Sequence, residues 1–168
     1  MQIEIRRATS NDAVRATEIA HSAKAHWGYP AEWLAAWDDD LTIRDADIGR
    51  HATFVASLGG EVVGVCQLRH SDQHVFLEHV WVDPRAHRQG VGRALVEHAR
   101  GEAIGTIAIV ADPYAEPFYL RLGARRVGEV AAPMPGAPHR TLPLMELDGG
   151  RGAPTSASAG PATSSSPS

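Results

Sequence analysis

The sequence is poor in cysteine and lysine, with one residue of each, and both scarcities exclude classes of site. A single cysteine, Cys66, cannot form an internal disulfide or supply a multi-cysteine zinc motif. The single lysine, Lys24, follows an alanine instead of a glycine-rich loop, so the phosphate loop that ends in Gly-Lys-Ser/Thr is absent. Nucleotide hydrolysis through such a loop is therefore excluded.

Long hydrophobic runs are missing as well. No stretch approaches the roughly 18 apolar residues that a membrane-spanning helix requires. Residues 1–7 do not have the composition of a signal peptide. We therefore expect a cytoplasmic protein with no membrane partner.

Basic charge is outnumbered: 16 Lys and Arg residues face 20 Asp and Glu residues, and the formal net charge is −4. Non-specific nucleic-acid binding depends on neutralising phosphates with basic side chains, so no nucleic-acid partner is expected. An acidic balance favours a cationic substrate such as an amine.

The chain has enough apolar material for one domain, with 168 residues of which 43% are hydrophobic. Residues 149–168 consist almost entirely of glycine, proline, serine, threonine and alanine. Such a segment has few apolar side chains to offset the entropy of ordering it. We predict one folded domain over residues 1–148 and a disordered low-complexity tail over residues 149–168.

Alternating and helical apolar spacings predict the order of elements along the domain. Strands are predicted at 2–7, 53–58, 61–69, 75–82, 106–111, 125–130 and 141–147, and helices at 12–24, 31–37, 91–103 and 116–122. Aspartates 38–40 are expected to stop the second helix, strand 106–111 to be covered on both faces, and Pro143 to mark an edge strand or a bulge. The fold class is α/β, with a mixed, mostly antiparallel sheet of six to seven strands and about four helices on both faces.

A strand, a basic turn and a helix follow one another directly over residues 80–95. The turn contains Gly90 and Gly92, and Arg85, Arg88 and Arg93 lie around it. Amides at the start of a helix are unpaired and lie at the positive end of its dipole, so this geometry suits a pyrophosphate. The alternative interpretation is a structural turn that binds nothing. A dinucleotide fingerprint would need a third glycine at position 95, which is leucine, so a nicotinamide dehydrogenase is disfavoured.

This stretch resembles the acyl-CoA-binding motif of the GNAT superfamily of N-acyltransferases, R/Q-x-x-G-x-G/A after a strand of the form L-x-V-x-P. The matching residues are Val80, Val82, Pro84, Gly90 and Gly92, whereas His87 stands at the Arg/Gln position. Residues 112–124 resemble a second family segment, N-x-x-A-x-x-F-Y-x-x-x-G-F. The matching residues are Ala115, Phe118, Tyr119 and Gly123, whereas Asp112 replaces the asparagine and Ala124 the last phenylalanine.

The resemblance implies acetyl-CoA as cosubstrate and a set of cofactor-binding residues. They are Val80, Trp81, Val82, His87, Arg88, Gln89, Gly90, Val91, Gly92, Arg93, Asp112 and Tyr119.

In this family an amine attacks the thioester directly, which needs a base for the amine, a donor to the carbonyl oxygen and a proton for the leaving thiolate. The resemblance assigns the thiolate's proton to Tyr119, with Tyr114 as a less favoured substitute, and the carbonyl donor to an amide of strand 80–82. Glu78 is the candidate base, although it could equally be a solvated or salt-bridged carboxylate on the strand. His79, its neighbour, should point to the opposite face.

The acceptor should lie near residues 22–30, which connect the first two helices. Candidate substrate contacts are His26, Trp27 and Tyr29, with Trp33 a weaker candidate; the tryptophans could instead pin the helices to the sheet. The leading hypothesis is acetylation of a primary amine of a small molecule. The alternatives are a protein N-terminal or lysine acetyltransferase and a non-catalytic acyl-CoA sensor.

Two further chemistries are not expected. The nine histidines include His70, His74 and His79, but their spacing fits no compact ligand motif, so no metal site is predicted. Cys66, in the middle of a strand, is expected to be a buried inert thiol. By analogy with the family, a homodimer is possible.

Overall fold

The structure is a computed structural model that describes residues 1–151. Most of the predicted tail, residues 152–168, lies outside the described residues. The seven strands are β1 Ile3–Arg7, β2 Ala52–Leu58, β3 Glu61–His70, β4 Val75–Val82, β5 Thr106–Val110, β6 Arg125–Ala131 and β7 Thr141–Asp148. The α-helices are α1 Ala13–His26, α2 Ala31–Ala36, α3 Asp38–Leu41, α4 Asp45–Arg50, α5 Val91–Glu102 and α6 Glu116–Arg121.

The strands form one sheet in the order β1-β2-β3-β4-β5-β7-β6. Every neighbouring pair is antiparallel except β4 and β5, which are parallel. This confirms the predicted mixed, mostly antiparallel α/β fold, with six α-helices where about four were expected.

The two extra helices lie between α2 and β2. The second predicted helix ends before aspartates 38–40, as expected, because α2 ends at Ala36. The aspartates themselves were not expected to be helical, yet α3 begins at Asp38. Acidic side chains are favourable in a first helical turn, where they face the positive end of the dipole. α4 likewise carries Asp45 and Asp47 in its first turn and buries Ile48.

Helices cover both faces of the sheet. α5 buries Val91, Leu95, Val96 and Ala99 against one face, and the small residues of α1 pack near Val55 and Val65 on the other. Gly64 on β3 sets the approach of α5, because an added Cβ would lie 2.8 Å from Leu95 Cδ1 and 2.9 Å from Val91 Cγ1. The start of α5 is thereby fixed close to the end of β4.

The sheet opens between β4 and β5. These strands pair only at Val75 with Ile107 and at Phe76 with Ala108, so β4 diverges from β5 beyond Phe76. On its other side, β4 has a bulge against β3, where Gln67 pairs with His79 and Leu68 with Leu77, so that Glu78 is skipped. The divergence leaves a gap between the two strands, so residues 77–82 of β4 have no paired strand on the β5 side.

One expectation about the later strands is wrong, and of the two alternatives for Pro143, an edge strand or a bulge, the edge strand is excluded. β5 is not covered on both faces, because Ile107 and Ile109 are buried whereas Val110 is 44% exposed. β7, which contains Pro143, is an internal strand, although β6 beside it has an irregular register between Arg126 and Gly128. The Pro143 carbonyl accepts a hydrogen bond from Ala111 N (2.9 Å), just past the end of β5. Because proline has no N–H to return a second bond to Ala111, the pairing of β5 with β7 ends there.

The chain stays attached to the domain slightly beyond residue 148. Gly149 N donates to Gly105 O (2.7 Å) and Gly150 N to Arg100 O (2.7 Å), and Arg151 N donates to Ala103 O (3.3 Å). Residues 149–151 therefore pack against the end of α5 and the loop after it.

Candidate active site

A cavity of about 660 Å³ occupies the gap between β4 and β5. It extends from the start of α5 and from α6, through the gap, to the C-terminal end of α1. Predicted site residues that line it are His26, Trp27, Glu78, Val80, Trp81, Val82, His87, Arg88, Gly90, Val91, Gly92, Arg93, Asp112 and Tyr119. Gln89 and Tyr29 do not line it.

The glycine turn forms one end of the cavity. Gly90 caps α5 with φ +82°, a left-handed conformation that glycine adopts without strain, and no side chain caps the helix. An added Cβ at Gly92 would lie 3.3 Å from Phe118 Cζ, so this glycine lets α6 approach. The first turn of α5 therefore faces the cavity with backbone amides that have no partner within the helix.

Several arginines contribute positive charge to the cavity, but Arg85, which is close to the turn in the sequence, is not among them. Arg88, Arg93 and Arg121 line the cavity. Arg85 instead pairs with Asp83 (2.9 Å) and Glu61 (3.0 Å). The hydrogen bonds that Asp83 accepts from Arg85, together with one from Arg15, hold the pKa of Asp83 well below its usual range. The Arg121 contribution comes from α6, and sequence reasoning missed it.

Two histidines pack beside the start of this turn. His87 Nε2 lies 3.1 Å from Val82 O, and the His26 ring meets the His87 ring edge-on at 5.0 Å. Gln89, by contrast, points back along the turn, where its Nε2 donates to Arg85 O (3.4 Å).

Tyr119 lies on α6 where the cavity crosses the gap. The residue is 7% exposed, and burial raises the pKa of its phenol above the usual value. The hydroxyl is therefore protonated at neutral pH, which is the state that a proton donor needs.

Glu78 lies on the opposite side of the gap. Its carboxylate accepts a hydrogen bond from Arg69 Nε at 2.6 Å, so the salt-bridged state foreseen for it is present. Because the bulge skips Glu78, the expectation that it faces away from His79 is wrong. Arg69 and Gln67 are two residues apart on β3 and so point to the same face of the sheet. Their partners on β4, Phe76 and His79, share that face, and Glu78 reaches it through its contact with Arg69. Burial lowers the pKa of His79, and Trp81 Nε1 donates to its Nδ1 (3.0 Å).

Aromatic rings and a buried ion pair form the wall of the cavity near the C-terminal end of α1. Trp27 stacks on Tyr114 with the ring centroids 5.3 Å apart, and both line the cavity. Behind them, Lys24 Nζ lies 2.6 Å from Asp112 Oδ2, and the Tyr29 hydroxyl donates to Asp112 (2.9 Å). Tyr29 therefore supports the wall of the cavity and does not line it.

The Lys24–Asp112 contact joins residues 88 positions apart. No periodicity or motif could have found it; its only sequence signal is an aspartate where the resemblance expects asparagine. Burial lowers the pKa of Lys24, while Asp112 opposes that shift.

Two other expectations concern chemistry outside this cavity. Cys66 is buried, and burial raises the pKa of its thiol to about 12, so it is not a thiolate at neutral pH. Within residues 1–151 there is no group of three or more His, Cys, Asp or Glu side chains that could hold a metal ion. None of the helices described in residues 1–151 has the length and hydrophobicity of a membrane span.

A sheet that opens beside a glycine turn at a helix N-terminus, with a cavity through the opening, is the arrangement of an acyl-CoA-dependent transferase. The model of the acetyltransferase (GNAT) family matches residues 19–124, and the chain belongs to this family. The resemblance seen in the sequence is confirmed. The protein is an acyltransferase, and acetyl-CoA is its cosubstrate.

Solved structures share the fold over most of this chain. A GCN5-related N-acetyltransferase from Rhodopseudomonas palustris is 22% identical, with a TM-score of 0.72 over 88% of this chain and 96% of that one. The PaiA N-acetyltransferase of Thermoplasma acidophilum, in complex with coenzyme A, is 17% identical, with a TM-score of 0.69 over 88% and 99%. The ribosomal-protein-S18-alanine N-acetyltransferase of Escherichia coli is 20% identical, with a TM-score of 0.65 over 88% and 94%. A search of curated proteins gave no match.

Proposed function

We propose that this protein transfers the acetyl group of acetyl-CoA to a primary amine of a small molecule, by direct attack in a ternary complex. The observation that carries the proposal is the continuity of the cavity. One space joins the glycine turn, the gap beside Tyr119 and the aromatic side that holds Trp27 and Tyr114. A cofactor and an acceptor could therefore occupy it together.

The glycine turn is the proposed pyrophosphate site. The unpaired amides at the start of α5 and the charges of Arg88 and Arg93 attract an anion there. The pantetheine arm would then extend along β4 through the gap, where residues 77–82 face no partner on the β5 side.

The chemistry requires one bond to form and one to break. The neutral amine attacks the thioester carbon, the oxygen gains negative charge, and collapse of the adduct expels the CoA thiolate. The nitrogen of the adduct carries an extra proton and loses it to solvent as the amide forms, and this balances the proton that the thiolate takes up. In this proposal a backbone amide of residues 80–82 donates to that oxygen. Tyr119 gives the thiolate its proton; its buried, protonated phenol supports this role.

The amine must first lose a proton, since an alkylamine with a pKa of about 10 is almost wholly protonated at neutral pH. Glu78 is the proposed base, directly or through water. It lines the cavity, and its bond to Arg69 fixes the direction of its carboxylate.

A small acceptor is favoured over a protein because a contact between two segments narrows the surroundings of the acceptor side. Trp33 Nε1 on α2 donates to Pro135 O (2.9 Å) in the loop between β6 and β7, and the Trp33 ring stacks on Tyr29, which contacts the cavity residue Tyr114. A protein N-terminus or lysine would need an open groove. A non-catalytic sensor would have no use for a proton donor such as Tyr119 at the sulfur.

The test is release of CoA thiol from acetyl-CoA by the purified full chain with a panel of small amines and with peptides. We expect turnover with some small amine and little with peptides. Tyr119→Phe should lower kcat by about 10²-fold, the scale of proton-transfer catalysis. Its Kd for acetyl-CoA should change little, because the ring remains.

Three outcomes would contradict this proposal. Turnover with peptides alone would move the function to protein acetylation. A thermal shift with acetyl-CoA but no turnover on any acceptor would support the sensor. Tyr119→Phe with unchanged kcat would remove the assigned role of the phenol.

A further inference from the structure

Three aromatic side chains line the part of the cavity proposed for the acceptor. We call them the aromatic wall; its members are Trp27, Trp81 and Tyr114. Trp27 and Tyr114 are stacked almost parallel, with an interplanar angle of 7° and ring centroids 5.3 Å apart. Lys24 Nζ lies 6.0 Å from the Trp81 ring and binds Asp112, which also accepts a hydrogen bond from Tyr114 N. The three rings therefore adjoin one ion pair in the cavity wall.

The rings of the aromatic wall are held in place and still keep open surface. Tyr114 is 56% exposed, so its stack with Trp27 leaves much of the ring uncovered. The Tyr29 ring meets Tyr114 edge-on at 5.6 Å, and Trp81 Nε1 donates to His79 Nδ1 (3.0 Å). Rings fixed in this way bind a flat apolar group with little loss of conformational entropy.

The carboxylates of the cavity already have cationic partners. Among residues 1–151, only Glu78 and Asp112 bring a carboxylate to the cavity lining, which also contains three arginines. Glu78 accepts a hydrogen bond from Arg69 Nε at 2.6 Å, and Lys24 Nζ lies 2.6 Å from Asp112. A second ammonium on the acceptor would find no carboxylate free to pair with it, and an unpaired charge inside a protein is unfavourable.

We infer that the acceptor is an aromatic monoamine, that is, a primary alkylamine that carries a flat aromatic ring and no second ammonium. The ring would lie against the aromatic wall, and the amine would reach Glu78, the proposed base. Aliphatic polyamines would be poor acceptors. This inference rests on the proposed function and names the class of its acceptor.

Turnover of matched amines tests the aromatic part of the inference. The full chain is assayed with acetyl-CoA and with benzylamine, 2-phenylethylamine and 3-phenylpropylamine, each paired with its cyclohexyl analogue. The three chain lengths sample the spacing between ring and amine. For the best aryl amine we expect a KM about threefold to tenfold below that of its cyclohexyl analogue, the scale of an aromatic pair beyond its buried area. A KM no lower for the aryl amine in any pair would overturn the inference.

A second pair of amines tests the charge. Butylamine and 1,4-diaminobutane share one carbon chain and differ by one ammonium. The diamine should have a KM about tenfold or more above that of butylamine, because its second ammonium has no free carboxylate to pair with. Equal KM values would show that the cavity accepts polyamines and would overturn the monoamine class.

Substitutions locate the effect in the aromatic wall. Trp27→Leu and Tyr114→Leu each remove one ring and should bring the KM ratio of cyclohexyl to aryl amine toward one, whereas Trp27→Phe should keep part of it. Trp33→Leu is the matched control, since it also loses an indole but at a residue that does not line the cavity, so the native ratio should remain.

Melting curves show which of these variants are folded. Tyr114→Leu changes an exposed side chain and keeps the test available if Trp27→Leu is not folded. A native KM ratio in every folded leucine variant of the aromatic wall would overturn the inference.

Binding without turnover separates this inference from the proposed function. The full chain, saturated with CoA, is titrated by calorimetry with the N-acetyl derivatives of 2-phenylethylamine and 2-cyclohexylethylamine, which are neutral and cannot react. The aryl amide should bind about threefold to tenfold more tightly. That preference without turnover of any amine would refute the proposed function and keep the aromatic site. Turnover of amines with equal affinities for the two amides would refute the aromatic class and keep the acetyltransferase.

Discussion

Asp112 is a charged residue where the family resemblance expects a neutral asparagine. Its carboxylate is buried in a cavity wall, and only Lys24 offsets its charge at hydrogen-bonding distance, 2.6 Å. Buried ion pairs of this kind contribute little compared with a neutral pair of similar size, but removing one partner leaves an uncompensated charge. The pair therefore predicts a specific pattern of stability.

Lys24→Met should destabilise the fold by about 3–5 kcal/mol, because it leaves the Asp112 carboxylate buried without a cation. Asp112→Asn should cost less, since burial already lowers the pKa of Lys24 and the amine can deprotonate. The double variant Lys24→Met with Asp112→Asn should recover most of the loss, as no buried charge remains. Urea unfolding followed by circular dichroism would measure all three. A double variant as unstable as the sum of the single variants would refute the coupling.

Sequence reasoning reached some of these residues and missed others for a physical reason. Gly90, Gly92 and Tyr119 stand in short motifs, where the spacing along one turn or helix carries the signal. Lys24 and Trp33 act through contacts with residues distant in the chain; Trp33, for instance, bonds to Pro135 at a separation of 102 residues. Which distant residues meet is decided by the order of strands and cannot be deduced from local periodicity.

At the scale of elements, the course of β4 determines the site. The sequence predicts its limits correctly, because a run of strand formers ends at Asp83-Pro84. It does not predict the bulge at Glu78 or the early loss of pairing with β5, since both depend on neighbours in the sheet. These two irregularities open the gap that an unbroken strand would close.

α5 contains two glycines that should respond differently to the same substitution. Gly92 faces Phe118, and an added Cβ would lie 3.3 Å from that ring, whereas Gly101 has no atom within 4 Å of its added Cβ. Gly101, the penultimate residue of α5, should when changed to alanine stabilise the protein by about 0.5 kcal/mol, the lower end of the gain in a helix interior, and leave CoA binding unchanged. Gly92→Ala should gain less stability and weaken CoA binding several-fold, because Phe118 lines the cavity and must move.

Thermal melts and calorimetric titration with CoA would compare the two variants. Since both add one methyl group to one helix, differences in helix propensity cancel. Equal effects of the two substitutions on CoA affinity would show that the contact of Gly92 with α6 does not shape the cofactor site.

At the scale of the whole molecule, charge is separated between surface and cavity. The chain carries a net charge of −4, yet Arg88, Arg93 and Arg121 line the cavity. An acidic exterior attracts amines in general.

The boundary of the domain gives a last prediction. The sequence places it at residue 148, where apolar residues cease, but residues 149–151 donate three backbone hydrogen bonds to the segment from Arg100 to Gly105. Truncation after Arg151 should leave the melting temperature and the acetyl-CoA-dependent activity unchanged. Truncation after Asp148 removes those bonds and should lower stability by about 2–3 kcal/mol, or roughly 5–10 °C in Tm.

The pair of truncations isolates three residues, because both remove residues 152–168. A differential melt of the two proteins against the full chain measures the contribution of residues 149–151 directly. Equal Tm values for the two truncated proteins would mean that the cooperatively folded domain ends with β7 at Asp148 and that residues 149–151 do not stabilise it. A loss of activity in both would assign a function to residues 152–168, and the catalytic unit would then exceed the folded domain that the composition predicts.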